Sequence, residues 1–192
     1  MVSNFYSVYW PPEALDAIKF IHQKFHKDIW MLGVRALYAQ GVPVYRGTED
    51  IDIYSPITKQ ERDELTSHLR RRYGHVSARW TSFGVSYTFP SGYKLDVNIT
   101  NKYIKTQILS RSRLRIGDTY IYVPSTEDVL ILKLLAPQEK HLRDVRHTLR
   151  TLSLNIDLLL SKAKIAGVEK KLLREIKVVN SNRRGLSSYR LE

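Results

Sequence analysis

Cysteine is absent from the 192 residues, and methionine occurs only twice. Disulfides, thiolate metal sites and cysteine nucleophiles are therefore excluded, and the six histidines have no thiols with which to build a zinc finger. Nowhere do about 18 apolar residues follow one another, so no transmembrane helix is expected. Residues 1–10 lack a basic segment followed by an apolar run, which argues against a signal peptide and for a cytoplasmic setting. Acidic residues are also few: 19 Asp and Glu stand against 31 Lys and Arg, a formal net charge of +12. The surplus is uneven, with 14 basic against 10 acidic residues over 1–110 and 17 against 9 over 111–192. A field of this sign attracts polyanions such as RNA or DNA and speeds encounter without specifying sequence.

Within this basic chain, residues 46–54 read Arg-Gly-Thr-Glu-Asp-Ile-Asp-Ile-Tyr. On a β-strand, residues two apart share a face, so Ile51 and Ile53 can enter a core while Asp50 and Asp52 converge on the other side. Two carboxylates so placed repel, and a divalent cation between them removes the penalty; Mg²⁺ is commonly held by one or two carboxylates together with nucleotide phosphates. Upstream, Trp30-Met31-Leu32-Gly33 reads as a strand entering a tight turn, and 34–40 has helical composition up to Gly41. Such a turn aims backbone N–H groups outward at a helix start, where phosphate binds readily. Downstream, residues 93–99 alternate with period two, placing Leu95, Val97 and Ile99 on one face and Asp96 and Asn98 on the other. Asp96 is thus a third carboxylate from a second strand.

Taken together, these pieces resemble the nucleotidyltransferase superfamily whose catalytic domain is that of DNA polymerase beta. The likeness is strongest to its small prokaryotic members, the minimal nucleotidyltransferases and the toxin components of abortive-infection and toxin–antitoxin systems. In that family a Gly-Gly or Gly-Ser turn opens a helix, an Arg-x-Thr-x-Asp-x-Asp segment follows, and a third Asp comes from a later strand. The counterparts here are Gly33, then Arg46, Thr48, Asp50 and Asp52, then Asp96. Residues 123–136 are similar to the family's helix with a Ser or Thr cap and a Lys-Leu-x-Ala motif, carried here by Lys133, and Arg143-Asp144 to its later basic-Asp element. The resemblance covers residues 28–150. It departs from the family pattern at Val34 and Arg35, which replace the second small residue of the turn and the hydroxyl residue after it, and at His147, where an acid is usual.

The resemblance implies transfer of a nucleoside monophosphate from an NTP to a hydroxyl acceptor. Asp50, Asp52 and Asp96 would hold Mg²⁺ or Mn²⁺, Gly33 and Lys133 would steady the phosphates, and Arg46 and Thr48 would orient the metal-bearing strand. Val34 would hinder phosphate approach to the backbone. Arg35 would either offset this with its guanidinium or point into solvent. The basic surface and the toxin-like resemblance suggest RNA, in particular tRNA, as acceptor, a protein side chain and a small aminoglycoside-like hydroxyl being the other acceptors left open, with an antitoxin protein as a further partner and no membrane. The competing reading is a catalytically silent module of the same fold that binds RNA or an antitoxin.

The rest of the chain supports an α/β (α+β) fold, a mixed sheet of about four to six strands flanked by helices with a C-terminal helical extension. Pro11 and Pro12 open a helix with an apolar stripe at Ala14, Ile18, Ile21 and Phe25. Thr58 and Glu61 have capping-box spacing ahead of a helix that carries Arg70, Arg71 and Arg72. Residues 78–83 and 85–89 read as a hairpin about Gly84, with Trp80, Phe83, Tyr87 and Phe89 in packing roles. Ser125 and Asp128 cap an almost wholly apolar helix, a basic helix follows Pro137, and a helical pair joins at Gly167. The expected organisation is an α/β domain over 1–124, a helical region over 125–180 and a basic mobile tail over 181–192.

Overall fold

A computed structural model describes residues 10–48, 50–107, 111–136 and 138–187. The chain forms two compact units, Met1–Pro124 and Ser125–Glu192.

The first unit is built on a mixed sheet. Its strands are β1 (Trp30–Met31), β2 (Asp50–Tyr54), β3 (Ser77–Trp80), β4 (Gly84–Thr88), β5 (Lys94–Asn98), β6 (Arg111–Ile116) and β7 (Thr119–Pro124), in the spatial order β3-β4-β5-β2-β1-β7-β6. The pairs β2–β5 and β1–β7 are parallel and the others antiparallel. Alternation along the strands divides the sheet into two chemically different faces. Ile51, Ile53, Val85, Tyr87, Leu95, Val97 and Ile121 turn to one side and are almost fully buried. The Tyr87 hydroxyl meets Thr66 Oγ1 at 2.9 Å, which places α3 (Lys59–Tyr73) over that side, and α3 packs on α1 (Pro12–Phe25). Helix α1 buries Ala14, Ala17, Ile18 and Ile21. The capping box at the start of α3 is complete, Glu61 N–H donating to Thr58 Oγ1 and Thr58 N–H to the Glu61 carboxylate. The opposite side of the sheet carries Asp50, Asp52, Tyr54, Lys94, Asp96 and Asn98.

Three expectations for this unit need correction. The sheet has seven strands among the described residues, not four to six, because β6 and β7 form a hairpin about Gly117 and Asp118. Gly84 is not the hairpin turn but the first residue of β4. A Cβ there would lie 1.9 Å from the Val97 carbonyl oxygen, so the glycine permits close approach of β5. Of the four aromatics assigned to packing, Tyr87 and Phe89 are buried, whereas Trp80 and Phe83 are 48% and 63% exposed, and the Arg62 guanidinium lies 3.9 Å from the Trp80 ring centre.

The second unit is helical: α5 (Thr126–Leu135), α6 (Glu139–Thr151), α7 (Ile156–Ile165) and α8 (Glu169–Ser187). Ser125 caps α5, its Oγ accepting from Asp128 N–H and donating to the Asp128 carboxylate, while Lys162 reaches the other carboxylate oxygen at 2.6 Å. Arg146 pairs with the buried Glu175 at 2.5 Å. Helix α8 continues to Ser187, into the stretch expected as a tail over 181–192; residues 188–192 lie outside the described residues. No helix among the described residues is long and apolar enough to cross a membrane.

Candidate active site

The carboxylates meet because β2 and β5 run parallel in register, with Asp50 beside Lys94 and Asp52 beside Asp96. Neighbouring strands are about 4.8 Å apart, so Asp52 and Asp96 stand side by side on one face, with Asp50 one pleat along. One carboxylate oxygen of Asp96, Oδ1, is buried without a hydrogen-bond partner. A buried, unsatisfied carboxylate oxygen is costly, and a cation is the natural complement to it. Among the described residues no three His, Asp or Glu side chains are gathered closely enough to form a ready-made metal site. The donor chemistry and the orphaned oxygen nonetheless suit a hard divalent ion with open positions for a substrate.

Gly33 completes this corner. It has φ +66°, and a Cβ built on it would lie 2.1 Å from Asp52 Oδ2. The preceding Leu32 N–H donates to the Asp52 backbone carbonyl at 2.8 Å, so the turn into α2 (Gly33–Ala39) is tied to the strand at the residue that bears the carboxylate. Only a residue without a side chain fits against Asp52 there, and only glycine adopts that backbone without strain. Gly33→Ala is therefore expected to lower the thermal midpoint by only a few degrees, at a backbone cost of about 1–2 kcal/mol. It should disturb the carboxylate corner far more than the fold by displacing Asp52; thermal melts with and without Mn²⁺ separate the two effects.

Arg35 does not point into solvent. It is 9% exposed, and its guanidinium donates to the carbonyl oxygens of Asp50 at 3.2 Å and Thr48 at 3.1 Å. Burial lowers its pKa from the ordinary arginine value, opposed by the neighbouring Tyr93, Asp52 and Asp50. It thus acts as a strut under the segment that delivers Asp50. Thr48 Oγ1 donates to the same Asp50 carbonyl at 3.2 Å, and the Tyr38 hydroxyl donates to the Arg46 carbonyl at 2.8 Å. Arg46 itself makes a long 3.4 Å contact with the Gly47 carbonyl. The Val34 side chain is buried in the core, 3% exposed, so it does not stand over the turn.

Lys133 belongs to the helical unit. It is 5% exposed on α5, and its ammonium pairs with the fully buried Asp144 of α6, not with solvent at a cleft. Burial pushes the Asp144 carboxyl up to about 7. The apolar run around Lys133 was the sequence signal for such burial, and a long stem with one acidic partner satisfies it as well as a cleft does. Sequence reasoning also passed over Lys94, exposed and paired in register with Asp50. The alternation that identified Asp96 puts Lys94 on the same face, where its ammonium is available to an anionic substrate.

The architecture that positions these residues is the nucleotidyltransferase fold. The solution structure of the antibiotic-resistance factor ANT(2'')-Ia matches 89% of this chain and 95% of its own at 14% identity, with a TM-score of 0.51. The crystal structure of ANT(2'')-Ia in complex with adenylyl-2''-tobramycin matches 79% of this chain and 94% of its own at 16% identity, with a TM-score of 0.53. No protein-family model and no curated protein matches the sequence.

Proposed function

We propose that the chain is a divalent-metal-dependent nucleotidyltransferase that moves a nucleoside monophosphate from an NTP to a hydroxyl, with RNA, in particular tRNA, as acceptor. The observation that carries this reading is the corner formed by Asp52, Asp96 and Gly33: adjacent carboxylates, one with an orphaned buried oxygen, beside a turn that tolerates no side chain. In this reading Asp50, Asp52 and Asp96 hold Mg²⁺ or Mn²⁺. The metal would neutralise charge on the triphosphate and favour the ionised form of the attacking hydroxyl.

The chain's own groups have separate tasks. The acceptor oxygen attacks the α-phosphorus, the bond to the β-phosphate bridging oxygen breaks, and pyrophosphate leaves. Asp96, whose buried Oδ1 lacks a hydrogen-bond partner, would complete the metal site and so favour loss of the hydroxyl proton. Lys94 neutralises phosphate charge on the same face, and Gly33 lets the phosphates approach the turn. Arg35 and Thr48 hold the Asp50 backbone, so the carboxylates need no reorganisation when substrate arrives.

The net charge of +12 supports a polyanionic acceptor, while ANT(2'')-Ia, bound to adenylyl-2''-tobramycin, associates the fold with a small molecule bearing an adenylyl group. A nucleotide added to the hydroxyl that tRNA uses for aminoacylation would block translation, so a toxin role and an antitoxin partner belong to the same proposal. The silent-module alternative rests on Val34 and Arg35; the enzyme reading is supported by the burial of Val34 in the core and by the hydrogen bonds of Arg35 to the segment carrying Asp50. Thermal melts test the site itself: Mn²⁺ with NTP should raise the midpoint of the wild type and leave Asp50→Asn unchanged. Equal shifts in the two proteins would remove the metal site from the account.

A further inference from the structure

Two residues beyond Asp52 on the same strand, the chemistry of this sheet face changes from acidic to aromatic. Tyr54 shares the face of Asp50 and Asp52, and Trp30 lies opposite it on β1. The Trp30 ring centre is 5.5 Å from that of Tyr54 and 5.5 Å from that of Tyr122, so three rings pack across β2, β1 and β7, a ledge on which the part-exposed Trp30 is backed by the buried Tyr54 and Tyr122. Facing the ledge are the segment that leaves β5 and the short helix α4 (Lys102–Gln107), and between them is a cavity of about 570 Å³. That volume falls within the usual range of sites for small organic groups. Trp30, Tyr54, Ile99 and Ile104 give the cavity apolar walls, and Lys102 and Lys105, both exposed and three residues apart on α4, give it a cationic rim.

Apolar walls that include two aromatic rings, with ammonium groups at the rim, call for a flat apolar body with an anionic edge. A nucleobase with its phosphate has that form. Base stacking on aromatic side chains tolerates any sequence, and lysine supplies a point charge to the backbone. A base held in a duplex is already stacked on its neighbours and cannot enter. The Cα atoms of Asp52 and Tyr54 are two strand residues apart, about 7 Å, so an occupant of the cavity lies alongside the carboxylates.

We infer that this cavity binds one unpaired nucleotide of a single-stranded acceptor RNA, its base against Trp30 and its phosphate at Lys102 and Lys105. The inference rests on the nucleotidyltransferase reading only for the role of the strand as acceptor; the binding itself needs neither metal nor NTP.

The test is therefore run on the full chain in EDTA without nucleotide, titrating a fluorescently labelled single-stranded ribo-oligonucleotide of mixed sequence and following both anisotropy and tryptophan emission. Lys102→Ala/Lys105→Ala should weaken binding about tenfold or more and reduce the slope of log K against log salt by about 1.4, as expected for two lost phosphate contacts on a single strand. Removing the same charge from α8, by Lys170→Ala/Lys177→Ala, should change affinity less than threefold. Quenching of tryptophan emission by an unlabelled oligonucleotide should persist in Trp80→Phe and disappear in Trp30→Phe. Equal losses from the two lysine pairs, quenching that survives Trp30→Phe, or a duplex that binds as tightly as the single strand would each overturn the inference. Absence of any oligonucleotide binding would also overturn it, while leaving the metal-and-NTP melts to decide the reading of the carboxylates.

Discussion

Asp144→Ala is expected to lower the thermal midpoint of the helical unit by roughly 10 °C or more at pH 8. Asp144 is fully buried on α6 and Lys133 is 5% exposed on α5, and the two are hydrogen-bonded. Removing the carboxylate leaves an ammonium in the core without its acidic partner, which costs about 3–5 kcal/mol, whereas replacing both members with apolar residues of similar volume is often neutral. Lys133→Met/Asp144→Leu should accordingly recover most of the loss. If instead the double variant is as unstable as Asp144→Ala, packing around these positions matters more than the charge pair. The sign of the pH dependence follows from burial. The Asp144 carboxyl is raised to about 7 in the folded state, so its proton favours folding fully below about pH 4 and progressively less up to about pH 7. The wild type should gain on Asp144→Asn as the pH is lowered across that window.

The second large effect concerns chemistry and not stability. Asp52→Asn and Asp50→Asn keep the size of the side chain, so strand β2, whose core contacts come from Ile51 and Ile53, should hold its register. Each removes one negative charge from the proposed cation site. A loss of at least about 1,000-fold in kcat/KM, corresponding to roughly 4 kcal/mol of transition-state stabilisation, is expected in steady-state transfer assays. Without metal, Asp52→Asn should be as stable as the wild type or slightly more so, because Asp52 stands opposite Asp96 on the adjacent strand, whereas Asp50→Asn, which loses its opposite-charge neighbour Lys94, should be equal or slightly less stable. A variant that loses activity only in proportion to a loss of folded protein would argue for a structural role.

Period-two alternation made much of the sheet legible before any coordinates. It separated Ile51 and Ile53 from Asp50 and Asp52, and Leu95 and Val97 from Asp96, and both separations hold in the fold. The capping boxes were equally readable, because a hydroxyl and an acid three residues apart satisfy helix-start N–H groups locally. What alternation could not give was partnership between strands distant in sequence. Asp52 and Asp96 stand side by side only through parallel pairing, and the Asp50–Lys94 register follows from the same pairing.

Single buried charges were the least legible. Arg35 and Lys133 looked like ligands for phosphate because cations near acidic motifs commonly are. Their actual partners, the Asp50 and Thr48 carbonyls and Asp144, are fixed by tertiary packing that no local pattern encodes. Gly33 is the converse. The sequence marked it as a turn residue, but the closeness of Asp52, which gives the glycine its importance, is a property of the folded corner.

The central claim is that the Asp50, Asp52 and Asp96 face transfers nucleotides, and the most direct measurement is label transfer from each of the four α-labelled NTPs to total tRNA in the presence of Mg²⁺. The wild type should label RNA from at least one nucleotide, with labelling abolished by EDTA, by Asp50→Asn and by Asp52→Asn. Labelling that persists in both variants, or no transfer by the wild type to RNA, to protein or to itself, would contradict the account.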